Sequence, residues 1–557
     1  MQGLEHKECI SPTQGGSSPS LVSAPTSSRS AAAVFSPFRD LGNVFQGLPT
    51  RKLGIALVAC VIAQFLLIVN GSWTATPDSA LYLSLARSLA SGQGYVFNGE
   101  PHTLVPPGFA AILAGASTLF GESFLTYRGL MAACGLLTAL AGYLLIRRLC
   151  GANAALLVGG AFAVNHVLLG NSTLMLSDVP FALSCLLGLH MALCAGSSSW
   201  GLPAAVFAGI ALGIPPLLRI NGLAVPIAAV FFLWCAWRGR SLAQRVLLST
   251  LVLACAYAPW VVWEWWKSAF PASFGEGTYY SAVAERDWGT QVSVILSALW
   301  GYVPEAFYAV TGVTIKTGFV ELIVPAVILV GLVEAFRRGD RLFVPFVATQ
   351  YAGLSLSSAG SRYLIMVLPA LYVLLALGLV RIANLLNSSG VTRVSARSIL
   401  VVVFSVLMLL NVGHNLVTMY HARTALEFNG PESRRSLPFF SAARWLKDNA
   451  PNAPVLSTHP RIIHYLSGNR TIPLSRAGVP ETLTWVKSED DIRHLITGRK
   501  PGFLFADTKN PYLFPSAVKG IGDMGLQLQE IQGIDAASRY RLFKIVYPDD
   551  SREGGPR

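Results

Sequence analysis

Long apolar stretches restrict the fold of this chain more than any other feature of its sequence. A helix needs roughly 17 to 25 predominantly apolar residues to cross about 30 Å of hydrocarbon, and about eleven stretches come close to that length or reach it. They lie at 53–70, 124–145, 153–170, 179–195, 203–219, 222–237, 246–266, 319–336, 342–358, 363–381 and 398–418. Only 13% of the residues are charged, about half of the fraction that is usual in soluble domains. The sequence therefore predicts an all-α, polytopic membrane protein.

Basic residues cluster at alternate ends of these stretches. One set of loops carries Arg51, Lys52, Arg147, Arg148, Arg238, Arg240, Arg245, Arg337, Arg338, Arg341, Arg381, Arg393 and Arg397, whereas the other set carries only scattered bases. The positive-inside rule assigns the basic loops to the cytoplasm. We therefore expect a cytoplasmic N-terminus and, with an odd number of spans, an external C-terminus. The net charge of +13 is explained by these helix ends, so nucleic acid is not expected as a partner.

The two ends of the chain differ in composition from the apolar region. Residues 1–50 are rich in Ser, Pro, Gly and Ala, which predicts a disordered cytoplasmic tail before an uncleaved first span. Residues 421–557 alternate between helix and strand patterns and contain no cysteine. The predicted elements are helices at 437–449 and 460–466 and strands at 455–456, 502–506 and 539–547. This alternation predicts a small extracytoplasmic α/β domain without disulfides.

Two long segments on the predicted outer side combine apolar and polar residues. Segment 71–123 has an amphipathic helix pattern at 81–89 and a short apolar piece at 108–120. That piece is shorter than a spanning helix usually is, and its length is typical of an interfacial or re-entrant helix. Segment 267–318 mixes aromatic and acidic residues and is also predicted to be interfacial.

Two carboxylates lie beside predicted spans at the same side of the membrane. Asp78 precedes the amphipathic pattern of the first outer segment, and Asp178 lies in the turn between the third and fourth spans. A carboxylate at the edge of the membrane is costly unless it is solvated or paired, so both are candidates for function. The alternative for each is helix capping, because Asp accepts hydrogen bonds from free N–H groups at helix starts.

Two arginines occupy similar positions at the outer ends of later spans. Arg362 and Tyr363 lie at the mouth of the tenth predicted span, where a guanidinium can bind a phosphate and a tyrosine can anchor at the interface. Arg219 follows a pair of prolines near the outer end of another span. The alternative for both arginines is snorkelling of an interfacial side chain. The isolated histidines 166, 190 and 414 show no ligand spacing and are interpreted as core or interface residues.

Several short motifs occur in an order that resembles the polytopic GT-C glycosyltransferases. The resemblance is strongest to the bacterial branch that contains the aminoarabinose, galacturonic acid and protein-mannosyl transferases. Its motifs are Asp78-Ser-Ala-Leu-Tyr82, Pro106-Pro107-Gly108-Phe109, Leu176-Ser-Asp178-Val-Pro180-Phe181, Ser361-Arg362-Tyr363-Leu364 and Tyr465-Leu466-Ser467-Gly468. Each motif alone is weak, but their order and predicted topology are specific. The resemblance covers approximately residues 50–475, with a GT-C transmembrane catalytic domain at 51–420.

The resemblance implies an enzyme of the bacterial inner membrane that uses a polyprenyl-phosphate sugar. It would pass the sugar, with inversion, to a lipid, glycan or protein acceptor on the outer face. Asp78 would be the general base that takes the proton of the acceptor. Arg362, with Arg219, would stabilise the leaving phosphate, while Asp178 and Tyr363 would complete the substrate-binding site.

The sequence also departs from the pattern of this branch. Some relatives carry a second acidic residue directly after the first Asp, where this chain has Ser79. The aminoarabinose transferases tend to have a basic residue before the proline pair, where this chain has Val105 and the nearest substitute is His102. Glu100 is a further candidate for substrate binding. The sequence has no D-x-D pair, so neither a metal nor any cofactor besides the lipid-linked donor is expected.

Two other classes of function are consistent with a polytopic chain. A transporter or flippase would carry charged residues near the middle of the membrane and often shows internal repeats, and neither is evident here. A non-catalytic scaffold could keep the fold without the chemistry. An enzyme predicts that Asp78 and Asp178 converge on one outward-facing site beneath segments 79–123 and 267–318.

Overall fold

The computed structural model describes most of the apolar region and much of the polar end of the chain. The described residues are 38–46, 50–270, 287–314, 318–355, 359–389, 395–424, 437–474, 489–510, 513–532 and 539–548. Most of the predicted tail at 1–50 therefore lies outside the described residues, as do parts of segments 267–318 and 421–557.

The first described elements are four helices and a β-hairpin, and most of them belong to the first predicted outer segment. These elements are α1 (Arg39–Val44), α2 (Thr50–Leu67), α3 (Pro77–Ala90), the strands β1 (Val96–Phe97) and β2 (Glu100–Pro101), and α4 (Gly108–Phe120). Helix α3 buries most of its residues. Helix α4 has 13 residues, which is too short to cross the hydrocarbon, in agreement with the prediction of an interfacial or re-entrant helix.

Twelve further described helices build the membrane part. They are α5 (Phe124–Cys150), α6 (Ala152–Ala163), α7 (His166–Asn171), α8 (Asp178–Ser197), α9 (Leu202–Leu218), α10 (Ile220–Ala236), α11 (Leu242–Ser268), α12 (Trp288–Thr311), α13 (Ile323–Arg337), α14 (Phe343–Leu354), α15 (Leu368–Ser388) and α16 (Ala396–Thr424). Among the described helices, six are long and apolar enough to cross a membrane: α5, α8, α11, α12, α15 and α16.

Several predicted spans form shorter or interrupted helices. Helix α9 is broken after Leu212 and continues as Ile214–Leu218, where Pro215 and Pro216 follow Gly213. Proline cannot donate the backbone hydrogen bond that a continuous helix needs. Helix α6 contains a π-helical turn at Ala155–Gly159. Because these helices are shorter or interrupted, the structure does not confirm the number of about eleven spans, which stays a prediction.

Close helix packing in the bundle depends on small residues. Helices α13 and α15 approach each other where Gly331 faces the Leu374 carbonyl and Gly378 faces the Val327 carbonyl. A Cβ atom on either glycine would overlap the facing backbone. Small residues allow such approaches in membrane bundles, where packing replaces the hydrophobic effect as the driving force. Helix α15 is largely buried as a result.

The polar end of the chain folds into a mixed sheet flanked by helices. Its elements are α17 (Leu437–Asn449), β3 (Val455–Ser457), α18 (Pro460–Ser467), β4 (Thr471–Pro473), α19 (Glu489–Arg499), β5 (Phe503–Asp507), α20 (Leu513–Gly522), β6 (Gln527–Glu530) and β7 (Tyr540–Val546). The strand order is β4-β3-β5-β7-β6. Strand β3 is parallel to β4 and β5, and β7 is antiparallel to β5 and β6. We call the described residues from 437 onward the tail unit; each element predicted from the sequence in this region is present.

Candidate functional site

Asp78 lies in the first turn of α3 but does not cap the helix. The cap is Thr76, whose hydroxyl accepts a hydrogen bond from the Ser79 backbone N–H at 3.2 Å. The Ser79 hydroxyl in turn accepts one from the Thr76 N–H at 3.1 Å, which completes a capping box. The Asp78 side chain is therefore not required as a cap and is about half exposed, at 49%.

Two arginines from distant parts of the chain face the Asp78 carboxylate. Nη1 of Arg461, at the start of α18, lies 3.2 Å from one carboxylate oxygen. Nη2 of Arg362 lies 3.9 Å from the other oxygen. The two guanidinium groups thus approach opposite oxygens of one carboxylate. This arrangement joins α3, the turn before α15 and the tail unit at a single point.

Asp178 is buried at the first position of α8 and forms an ion pair with Arg219. Nη1 of Arg219 donates to Oδ1 of Asp178 at 2.5 Å, and the Asp178 side chain is only 3% exposed. The preceding Ser177 makes no side-chain capping bond, and its hydroxyl lies 3.1 Å from the Tyr82 hydroxyl. Buried charges are tolerated when they are paired, so Arg219 accounts for the burial of Asp178.

Tyr363 connects the two acidic residues through their arginines. Its ring lies beneath both guanidinium groups, at 4.9 Å from Cζ of Arg219 and 4.8 Å from Cζ of Arg362. Nη2 of Arg362 also donates to the Tyr363 hydroxyl at 2.7 Å. Burial lowers the pKa of Arg362, but the Asp178 carboxylate and Tyr363 raise it, and the net direction is upward. The Asp178 carboxylate therefore acts on the charge of Arg362, which also lies 3.9 Å from the Asp78 carboxylate.

Five of the seven candidate residues from the sequence meet in this cluster. They are Asp78, Asp178, Arg219, Arg362 and Tyr363. With Arg461, the cluster brings together three guanidinium groups and two carboxylates. Guanidinium groups present forked N–H donors, which match the geometry of a phosphate group.

His102 lies beside the cluster as a buried neutral side chain. It is 1% exposed, and its ring packs edge-on against Tyr95 and Phe97. Burial, followed by the nearby charge of Arg461, lowers the pKa of His102 to about 3. Its Nε2 accepts a hydrogen bond from the Val105 N–H at 3.4 Å. His102 therefore supports the first outer loop and does not act as a cation near neutral pH.

The structure places Glu100 at the contact between the first outer loop and the tail unit. Its carboxylate pairs with Arg470 at 3.2 Å. Beside it, the Asn98 side chain donates to the Thr471 carbonyl at 2.8 Å and accepts from the Thr471 N–H at 2.9 Å. The ion pair of Glu100 is thus with the tail unit and not with an arginine of the cluster around Asp78.

A second contact between the first outer segment and the tail unit lies at α3. The Arg87 guanidinium donates to the Tyr465 carbonyl at 2.8 Å and covers the Tyr465 ring at 4.4 Å. It also pairs with Glu122 at 2.6 Å. The tail unit therefore contacts the first outer segment through Arg87 as well as through Asn98 and Glu100. Sequence reasoning missed Arg461, because no local pattern around His459-Pro460-Arg461 connects it with Asp78.

No metal site is evident in the ranges that the structure describes, where no three His, Cys, Asp or Glu side chains are grouped to hold an ion. The histidines of the membrane part have protein contacts instead. Nδ1 of His166 lies 2.8 Å from the Asn411 amide oxygen, and Nε2 of His190 lies 2.9 Å from the Ala141 carbonyl. The independence from a metal stays a prediction.

The first comparison concerns sequence. The sequence profile of the family described as dolichyl-phosphate-mannose-protein mannosyltransferase matches residues 104–263. This range includes the proline pair, Asp178 and Arg219. No curated protein sequence matches the chain significantly.

The second comparison concerns solved structures. ArnT from Cupriavidus metallidurans is similar over 90% of this chain and 99% of its own, with a TM-score of 0.57 and 16% identity, both in its apo state and bound to undecaprenyl phosphate. The oligosaccharyltransferase AglB from Archaeoglobus fulgidus, in complex with an inhibitory peptide and a dolichol-phosphate, is similar over 84% of this chain and 71% of its own, with a TM-score of 0.50 and 12% identity.

These likenesses establish the fold. The chain is a multi-pass membrane protein that shares the fold of ArnT and AglB over most of its length, and the mannosyltransferase family profile matches part of it.

Proposed function

We propose that this protein is a glycosyltransferase that moves a sugar from a polyprenyl-phosphate donor to a lipid, glycan or protein acceptor. The observation that carries the proposal is the convergence of Asp78 and Asp178 through Arg362, Tyr363 and Arg219. The fold adds support, because structures of two proteins that share it contain undecaprenyl phosphate or dolichol-phosphate.

The donor is bound through its phosphate and its lipid. Arg362 and Arg219 both contact the ring of Tyr363, and each guanidinium can direct N–H groups at a phosphate bound there. The isoprenoid chain partitions into the bilayer because each buried CH₂ contributes about 0.8 kcal/mol. The phospho-sugar is then held at the level of the two acidic residues.

The reaction is a single displacement at the anomeric carbon. The acceptor oxygen or nitrogen attacks this carbon while Asp78 takes its proton, and the bond from the carbon to the phosphate oxygen breaks on the opposite side. The products are the glycosylated acceptor, with inverted configuration, and polyprenyl phosphate. Arg362 and Arg219 stabilise the negative charge that grows on the leaving phosphate. No metal or organic cofactor takes part.

Asp178 has a supporting role in this mechanism. Its carboxylate is buried and its nearest cation is Arg219, so it fixes the direction in which that guanidinium points. Ser177 and Tyr82 lie beside it, with their hydroxyls 3.1 Å apart. Asp178 therefore contributes to donor binding and Asp78 to the proton transfer.

The reaction is placed at the outer face of the bacterial inner membrane. This placement rests on the distribution of basic residues, with the N-terminus in the cytoplasm and the tail unit outside. The polyprenyl-phosphate sugar would then be used after its sugar has reached the outer leaflet.

The experiment is a transfer assay with purified protein in lipid vesicles. Wild-type protein is supplied with a panel of polyprenyl-phosphate sugars and with membrane extracts as acceptors, and released polyprenyl phosphate and glycosylated products are measured by mass spectrometry. The proposal expects polyprenyl phosphate and a new glycoside in equal amounts. Lipid movement across the vesicle without sugar transfer would indicate a flippase, and neither activity would indicate a scaffold.

A further inference from the structure

Arg461 is the charged residue that the tail unit contributes to the cluster around Asp78. It lies in the first turn of α18, directly after the chain leaves β3. The residue is only 7% exposed, although a guanidinium is normally solvated. Burying such a charge is costly unless it is paired, and Arg461 forms an ion pair with Asp78 at 3.2 Å.

The geometry distinguishes Arg461 from the arginines that face the proposed phosphate site. Arg362 and Arg219 both contact the ring of Tyr363, whereas Arg461 contacts the Asp78 oxygen that Arg362 does not approach. The Asp78 side chain remains about half exposed. Arg461 therefore restrains the carboxylate without enclosing it, and a face of Asp78 remains open to an acceptor.

Docking of the tail unit holds Arg461 in this position. Helix α18 also carries Tyr465, whose carbonyl accepts a hydrogen bond from Arg87 of α3 at 2.8 Å. Asp78 and Arg87 belong to the same helix. One helix of the tail unit thus contacts one helix of the membrane part at two points, first at the start of each helix and then further along it.

We propose that Arg461 is a positioning residue that orients the Asp78 carboxylate for proton transfer, so that the site is complete only when the tail unit is docked. This inference rests on the proposed function. Arg461 acts through Asp78 and contacts neither the phosphate nor the sugar.

The proposal predicts a specific kinetic signature. Loss of the guanidinium in Arg461→Gln should lower kcat about 10²-fold, as for a misplaced catalytic group, while the KM for the donor stays within about twofold. Arg461→Lys keeps the charge and loses the planar fork, so it should recover part of the rate.

The test uses full-length protein in vesicles with five variants beside wild type. The matched control is Arg493→Gln, which removes an arginine paired at 2.8 Å with Asp523 in the same unit and should leave kcat unchanged. Thermal melting of each variant confirms folding, and Arg461→Lys serves if Arg461→Gln does not fold. In an Asp78→Asn background, Arg461→Gln should cause little further loss, since its target is already absent.

The outcomes separate this inference from the proposed function. If folded Arg461→Gln, or the lysine variant in its place, turns over like wild type, Arg461 does not position Asp78. A raised KM for the donor with unchanged kcat would instead make Arg461 a donor-binding residue and would overturn the inference. If wild type transfers no sugar from any donor of the panel, the proposed function itself fails.

Discussion

The carboxylate of Asp78 lies 3.2 Å from the guanidinium of Arg461, a residue 383 positions further along the chain. This pair joins the membrane part to the tail unit at the point where the proposed reaction takes place. The tail unit therefore contributes a side chain, Arg461, to the site. Substitutions of Asp78 and of its neighbours test this arrangement.

Arg362→Ala should weaken the donor complex as well as turnover. The guanidinium meets the phosphate in the ground state and more strongly as charge develops on the leaving group. We expect the Kd for polyprenyl phosphate to rise about 10- to 100-fold, the loss of one charge-assisted hydrogen bond. Titration of the folded variant with polyprenyl phosphate measures it. An unchanged Kd would mean that Arg362 only anchors the protein at the interface.

Arg219→Ala should destabilise the fold, because it leaves the buried Asp178 carboxylate without its cation. Removing one partner of a buried pair costs about 3 to 5 kcal/mol. The double variant Asp178→Asn/Arg219→Ala should recover part of this loss, since no unpaired charge remains. Thermal melting in detergent compares the three proteins. A double variant that is less stable than Arg219→Ala would contradict the account of this pair.

Stability should fall in mild acid because two buried histidines resist protonation. The pKa is lowered by burial to about 3 for His102 and to about 4 for His459, against about 6.5 in the unfolded chain. Below pH 6.5 the unfolded chain therefore binds protons that the folded protein does not, and stability is lost until the pH reaches the folded values. Each histidine contributes about 1.4 kcal/mol per pH unit in that window.

His102→Gln should flatten the dependence of melting temperature on pH between about 6.5 and 4. His494→Gln, which changes an exposed histidine of the tail unit, is the matched control and should leave the slope unchanged. Equal slopes for wild type and His102→Gln would show that His102 is not buried as a neutral side chain.

Orientation is tested by reporter fusions. The basic loops predict that the C-terminus is outside, so a phosphatase fused after residue 557 should be active in cells and a cytoplasmic reporter at the same place should be silent. A fusion in the loop after α10 provides the internal comparison, because that loop carries Arg238 and Arg240 and should give the reverse pattern. An active cytoplasmic reporter at the C-terminus would exclude an outer-face reaction.

Much of the fold was accessible from hydropathy and pattern. Five of the six helices that are long and apolar enough to cross a membrane, α5, α8, α11, α15 and α16, correspond to predicted apolar stretches, because lipid permits a polar backbone only when a helix satisfies it internally. The sixth, α12, lies in segment 267–318, which was predicted to be interfacial. The helix predicted at 437–449 coincides with α17. The convergence of Asp78, Asp178 and Arg362 was also predictable, since a charge beside a span is costly and persists where it is paired or used.

Other features depended on contacts that no local pattern contains. The pairing of Arg461 with Asp78 and of Glu100 with Arg470 joins residues hundreds of positions apart. The cap of α3 is another such feature, because helix capping was the alternative role considered for Asp78. Thr76 and Ser79 form the capping box instead, and the sequence hides this pattern because the last residue of such a box is usually Glu or Gln, not Ser.

The most direct test of the account is single-turnover transfer by Asp78→Asn. Asparagine keeps the size of aspartate and much of its hydrogen bonding but cannot take a proton, so the rate of sugar transfer from saturating donor should fall by about 10² to 10⁴. The Kd for polyprenyl phosphate should stay close to that of wild type, because Asp78 does not contact the phosphate. A folded Asp78→Asn protein that transfers sugar at nearly the wild-type rate would contradict the assignment of Asp78 as the general base.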